Sequence, residues 1–302
     1  MAIPSLDMRL YEASVSMSDS LGNLLFYSNN CHISNAAHET MENGEGLNPG
    51  LIQIEWCDNG GNPTNQSAIS LPLPGNPNLY YFLHTDLQIF NFGQPGGSEF
   101  APLHLYYTLI DMQENNGLGK VVKKNIPLLQ DTFSMGALAA VRHANGRDWW
   151  IICPKYKSNC YFKILLDSAG LHLIDKTCTG YKWSKYDATG ATQFTPDGTK
   201  YVRSHAENGL NIFDFDRCSG ALSNPLRISL VPDSTRVSGM AISPNSRFVY
   251  VNFLDKIFQF DLWAADIAAS KTLVATYDGF ISAGNATNFY HAELAPDGKI
   301  YL

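Results

Sequence analysis

The octet His143-Ala144-Asn145-Gly146-Arg147-Asp148-Trp149-Trp150 holds the densest set of chemistry-bearing side chains in the chain. His143, Arg147 and Asp148 would make a polar site beside Trp149 and Trp150, whose rings suit stacking on a sugar. A competing structural reading takes Asn145-Gly146 as a type I′ hairpin turn, with the two tryptophans facing opposite sides of the strand that follows. Asp197 and Asp297 precede glycines in Pro-Asp-Gly turns, where an aspartate accepts main-chain N–H bonds without any substrate. Asp214 and Asp216 alternate on a strand and share a face, but two carboxylates fall short of the oxygens that Ca²⁺ takes. The histidines form no His-x-x-x-His pair, although a site converging from His84, His143, His205 and His291 fits a toroidal fold. No nucleophile elbow, zinc-protease helix, phosphate loop or dinucleotide fingerprint occurs, so no catalytic residue, metal or cofactor is assigned.

Strands and tight turns must position these residues. Phe194-Thr195-Pro196-Asp197-Gly198-Thr199-Lys200-Tyr201, Ile242-Ser243-Pro244-Asn245-Ser246-Arg247-Phe248-Val249-Tyr250 and Leu294-Ala295-Pro296-Asp297-Gly298-Lys299-Ile300-Tyr301 repeat one cassette. Looser copies lie at Ser18–Tyr27, Pro74–Tyr81 and His143–Trp150. A turn between two strands, recurring at roughly fifty residues, is the signature of a β-propeller blade. The expected fold is all-β: a single propeller domain, 1–302, of four-stranded antiparallel blades at about 11–57, 65–130, 137–180, 190–232 and 237–281, with a partial blade at 289–302. The polar run after Asn35 reads as an excursion with a helical turn around Ala36 to Met41. Because the last blade stops after its second strand, the chain is expected to be a truncated portion of a seven-bladed ring; completion by N-terminal strands is the alternative.

Composition narrows the function classes. The chain has 302 residues, 45% hydrophobic but only 16% charged, with 24 Gly, 15 Tyr and 16 Phe. That balance suits short strands and turns. A net charge of −7 without a basic stripe argues against nucleic-acid binding. Apolar runs fall short of the ~18 residues of a spanning helix, so no membrane insertion is expected. Met1 to Leu10 lacks the basic and apolar regions of a signal peptide. The six cysteines show no metal-type spacing. Cys153 and Cys160 flank a hairpin loop, where they read either as a disulfide across two strands or as buried free thiols.

Asn23-Leu24-Leu25-Phe26-Tyr27, Pro72 to Tyr81, the His143–Trp150 octet, Asp214 to Gly220 and Leu294 to Tyr301 together resemble the N-terminal propeller region of secreted Bacteroidetes-type proteins. These commonly carry a C-terminal sorting domain for type IX secretion. The resemblance spans nearly the whole chain and implies an extracellular or cell-surface propeller of unknown function. It implies no catalytic residues. The sequence therefore predicts a non-enzymatic binding or display module for an unknown glycan or protein ligand, with His143, Arg147, Asp148, Trp149 and Trp150 as candidate binding residues. A propeller hydrolase or lyase with a site in the central funnel, and a purely structural spacer, are the alternatives.

Overall fold

The computed structural model describes residues 6–10, 12–90, 99–183, 190–205, 207–230, 237–282 and 284–302. The glycine- and proline-rich run at 93–97 lies outside them. The described residues form a β-propeller of antiparallel blades, each a meander in chain order. Blade one holds β1 (Val15–Ser18), β2 (Leu24–Ser28) and β3 (Ile33–Asn35), followed by α1 (Leu51–Glu55). Blade two holds β4 (Ala68–Leu73), β5 (Asn76–Thr85), β8 (His104–Asp111) and β9 (Lys120–Gln130); the pair β6 (Gln88–Phe90) and β7 (Glu99–Ala101) is inserted between β5 and β8.

Blade three holds β10 (Ala139–Arg142), β11 (Trp149–Pro154), β12 (Cys160–Asp167) and β13 (Gly170–Cys178). Blade four holds β14 (Ala191–Phe194), β15 (Lys200–His205), β16 (Gly209–Asp216) and β17 (Ala221–Ile228). Blade five holds β18 (Val237–Ile242), β19 (Phe248–Phe253), β20 (Lys256–Asp261) and β21 (Thr272–Thr276). Two short pairs follow: β22 (Ile281–Ser282) with β23 (Asn285–Ala286), and β24 (Glu293–Leu294) with β25 (Ile300–Tyr301).

The described residues form five blades, not seven, and give no support to a truncated ring. β24 packs beside β18, and Glu12, just before β1, accepts hydrogen bonds from Tyr290 Oη at 2.9 Å and His291 Nε2 at 2.7 Å. Gly239 in β18 makes room for this segment, since a methyl group there would run into the Tyr290 carbonyl.

The core is divided into layers between neighbouring blades, as radial repetition requires. Phe26, Ile33, Phe82 and Ile110 fill the first layer; Leu83, Leu105, Phe133 and Ile164 fill the second. Trp150, Tyr161, Tyr201 and Phe213 fill the third; Val202, Ile212, Val251 and Phe260 fill the fourth.

Blade one has three strands because the polar excursion after β3 occupies its outer side and docks on β9. Asn43 Nδ2 donates to the Val121 carbonyl at 2.8 Å, and Lys120 pairs with Glu42 at 2.6 Å. The expected helical turn at Ala36 to Met41 is absent. His38 sits at φ +61°, and Asn35 Oδ1 accepts from the N–H groups of Ala37 and Glu39, closing a turn that no helix can continue. The excursion is anchored by a buried polar network. Asn48 Nδ2 donates to both the main-chain and side-chain oxygens of Asn30, at 3.0 and 2.8 Å. Its Oδ1 lies 2.7 Å from His84 Nδ1, and His84 Nε2 lies 3.0 Å from Thr108 Oγ1. With no charge nearby to offset complete burial, the His84 imidazole is pushed down to about 3 and stays neutral.

The cysteines correct the sequence reading. Cys160 bonds Cys178, and Cys31 bonds Cys57; Cys153 is a buried free thiol and Cys218 an exposed one. The hairpin register explains why Cys153 and Cys160 do not meet. Cys153 lies opposite Phe162, and pairing of β11 with β12 ends at Pro154–Tyr161, which turns Cys160 toward its β13 partner. In denaturant without reductant, two thiols per chain should react with a thiol reagent. In the native state only Cys218 should, because burial both hides the Cys153 thiol and pushes its ionisation up. Peptide mapping that finds Cys178 alkylated and Cys153 bridged would contradict this pairing.

Candidate functional site

The inner strands β1, β4, β10, β14 and β18, together with the short β24, surround an axial passage whose rim is built from the residues that lead into them. Gln66, at φ +49°, precedes β4 and turns its side chain across the ring. Its Oε1 accepts from Thr192 N at 2.8 Å and its Nε2 donates to Thr192 O at 2.9 Å, while its carbonyl accepts from Leu138 N at 3.3 Å. Asn65 Nδ2 donates to the Gly190 carbonyl at 3.2 Å, and Gln193 Nε2 to the Met240 carbonyl at 3.0 Å. Side-chain amides thus link blade to blade around the rim. Close approach explains the local glycines: a methyl at Gly190, φ +121°, would run into the Ser204 carbonyl, and one at Gly136, φ +60°, into that of Asn65.

Two chambers lie along the axis. The upper one, about 280 Å³, is bordered by Glu12, Gln66, Gln193, His291 and Glu293. The lower one, about 650 Å³, is bordered by Arg142, Trp149, Gln193, Asp197, Arg217 and Glu293. Gln66, Ile69, Leu138, Gln193 and Glu293 line both, so the chambers form one passage. Glu293 is exposed, and His291 is half-buried. They alternate along the extended segment that enters β24 and so face the same side, toward the axis. Glu12 is the least solvated of the three, its side chain 14% exposed.

Of the five residues that sequence reasoning singled out, one reaches this passage. His143 to Asp148 form the β10–β11 turn. Gly146 takes the left-handed conformation at φ +73°, but Asn145 is not among the positive-φ residues, so the turn is not type I′. Instead Asn145 Oδ1 accepts from Arg147 N at 2.9 Å and Asp148 N at 3.0 Å. Asp148 is buried and bound bidentately by Arg147, at 2.7 and 3.0 Å, with Asn145 Nδ2 at 2.7 Å. Arg147 and Asn145 outweigh the effect of burial and hold the Asp148 carboxyl below its usual range. Its oxygens are committed within the turn. Trp150 points into the third core layer, donates from Nε1 to the Arg217 carbonyl at 2.9 Å, and carries the His143 ring stacked on it at 5.5 Å. Trp149 points the other way. It lines the lower chamber with the Arg142 guanidinium 3.8 Å from its ring centre.

The aspartates are held internally. Burial pulls Asp197 upward, but hydrogen bonds from Thr195 and Thr199 outweigh it and keep the carboxyl low. Asp214 binds Lys200 at 2.6 Å, and Asp216 accepts from Cys218 N at 2.8 Å. Of the four histidines that might converge on the axis, His84 is in the first inter-blade layer, His143 is on Trp150 and His205 is beside Trp183. Only His291 lines the passage. Glu12 and Glu293 escaped the sequence reading; the signal that finds them is position, since each stands at the leading end of an inner strand. Among the described residues, no group of three or more His, Cys, Asp or Glu side chains could hold a metal ion.

No family model matches the chain, and no curated protein does. Several solved structures are similar at low identity. The periplasmic gluconolactonase of Pseudomonas aeruginosa is 14% identical, with a TM-score of 0.48 over 91% of this chain and 70% of that one. The hydrazine synthase of Kuenenia stuttgartiensis is 13% identical, with a TM-score of 0.46 over 99% and 94%. The Dos1 propeller is 10% identical, with a TM-score of 0.41 over 97% and 78%. Likenesses this remote transfer neither a residue nor a reaction.

Proposed function

We propose that this chain is a propeller binding module of the extracellular space or cell surface, and that its axial passage takes a small, neutral, polyhydroxylated ligand such as a glycan unit. The observation that carries this reading is the lining of the lower chamber. Glu293 and Gln193 offer oxygens and N–H groups to hydroxyls, and Trp149 supplies an apolar wall. A volume of about 650 Å³ suits a ligand of one or two sugar rings. An open, polar passage favours binding over the role of spacer, for which a plugged, apolar axis would serve. The two disulfides support an oxidising compartment, consistent with the resemblance to exported Bacteroidetes-type propellers.

Calorimetric titration with mono- and disaccharides tests the reading. Glu293→Gln should weaken binding about ten- to a hundredfold, the loss expected when a charged hydrogen-bond acceptor is neutralised. Trp149→Ala should weaken it as well. Absence of binding across the panel, or binding indifferent to Glu293, would reject the assignment.

A further inference from the structure

We infer that the upper chamber is a hydrolytic centre for uncharged carboxylic esters, with His291 as general base and Glu12 as the residue that positions it. The inference rests on the reading that the passage admits a small ligand. A carboxylate only accepts hydrogen bonds, so the 2.7 Å contact with Glu12 Oε2 requires the proton to reside on His291 Nε2. In the neutral imidazole this leaves a lone pair on Nδ1, for which no partner is found among the described residues, in a ring that borders the chamber. Tyr290 Oη holds the second Glu12 oxygen at 2.9 Å, which fixes the carboxylate in turn. A base oriented by a shielded carboxylate is the arrangement that activates water or a hydroxyl nucleophile.

The same lining selects the substrate. The ionisable side chains bordering the upper chamber are Glu12, His291 and Glu293, with no lysine or arginine among the described lining residues. Phosphorylated or free-acid substrates would meet Glu293 and be repelled. An uncharged ester enters without that penalty, and the carboxylate it yields is then expelled by the same charge. Gln66 and Gln193 each spend one amide N–H on a main-chain carbonyl, which fixes their orientation, and each retains a second N–H for a carbonyl oxygen as negative charge develops on it.

In the reaction, His291 Nδ1 takes a proton from water and the hydroxide oxygen bonds to the ester carbonyl carbon. The bond from that carbon to the alkoxy oxygen breaks, and the imidazolium returns the proton to the leaving alkoxide. Water and ester give acid and alcohol, without oxidant, metal or cofactor.

The full chain should hydrolyse para-nitrophenyl acetate and a neutral lactone, and should discriminate against mono-para-nitrophenyl succinate, which carries a free carboxylate. His291→Gln keeps a donor toward Glu12 but removes the base. It should lower kcat by about a hundredfold or more, the usual contribution of a general base, and added imidazole should restore part of the rate. Glu12→Gln should lower kcat with little change in KM, as loss of orientation does. Near-UV circular dichroism of each variant separates a lost base from a lost fold. Wild-type rates in natively folded His291→Gln, or no turnover of any neutral ester by the intact chain, would overturn the inference. A chain that binds a sugar but cleaves no ester overturns only this inference; one that cleaves esters but binds no sugar overturns only the glycan reading.

Discussion

Phe213→Ala should cost about 3–5 kcal/mol of unfolding free energy, the range for truncating a buried aromatic ring in a packed core. Phe213 is 1% exposed in the layer between blades three and four, with the Tyr161 and Tyr201 rings 5.4 and 6.1 Å away. Gly180 lies against it so closely that a methyl group there would overlap the ring. Neighbours this tightly placed cannot collapse into the vacated space, so the cavity term adds to the lost burial. Phe213→Leu, which retains most of the volume, should lose markedly less. Guanidinium unfolding followed by tryptophan fluorescence measures both. A loss below about 1 kcal/mol for the alanine variant would mean that this layer is not packed as described.

Acid should destabilise the protein well before its carboxylates begin to protonate, and His84 is the reason. In the unfolded chain this imidazole binds a proton near its ordinary 6.5; in the folded chain it does so only near about 3. Between those values the unfolded state holds the extra proton, so stability falls as pH falls, by about 1.4 kcal/mol per unit. Above pH 6.5 His84 contributes no pH dependence. Urea midpoints at pH 7.5 and pH 5 should therefore differ by the equivalent of about 2 kcal/mol. His84→Gln should flatten that slope while lowering stability at pH 7.5, because Asn48 and Thr108 lose partners fitted to an imidazole. Aspartates held low by their partners, such as Asp148 beside Arg147, lose their contribution only below the ordinary carboxylate range, outside this window. An identical slope in the variant would show that His84 is not kept neutral by the fold.

The propeller was legible because its information is local. Each Pro-Asp-Gly cassette fixes a turn, each turn fixes the two strands beside it, and the period supplies the rest. At Thr195–Lys200, for example, the Asp197 side chain closes the turn as its position in the cassette implies. What depended on register or on closure was hidden. The disulfide expectation failed because loop length alone does not reveal where β11 stops pairing with β12, or that Cys160 faces β13. The expected ring of seven failed because it was extrapolated from the short last repeat, whose β24–β25 pair instead packs beside β18. The octet's richness misled for a related reason: Arg147, Asp148 and Asn145 satisfy one another, and a turn needs those polar groups as much as a binding site does. Glu12 and His291 carry no local motif. They become neighbours only when the ring brings opposite ends of the chain together, which no window of sequence contains.

That meeting of distant residues also sets a schedule. Each complete blade is a meander of adjacent strands and can form as the polypeptide lengthens from its amino end, since its contacts are short-range. The rim where Glu12 receives Tyr290 and His291 cannot exist until the blades between them have been delivered. During synthesis, the nascent chain would thus carry its hairpins already made and its axial chamber still undone.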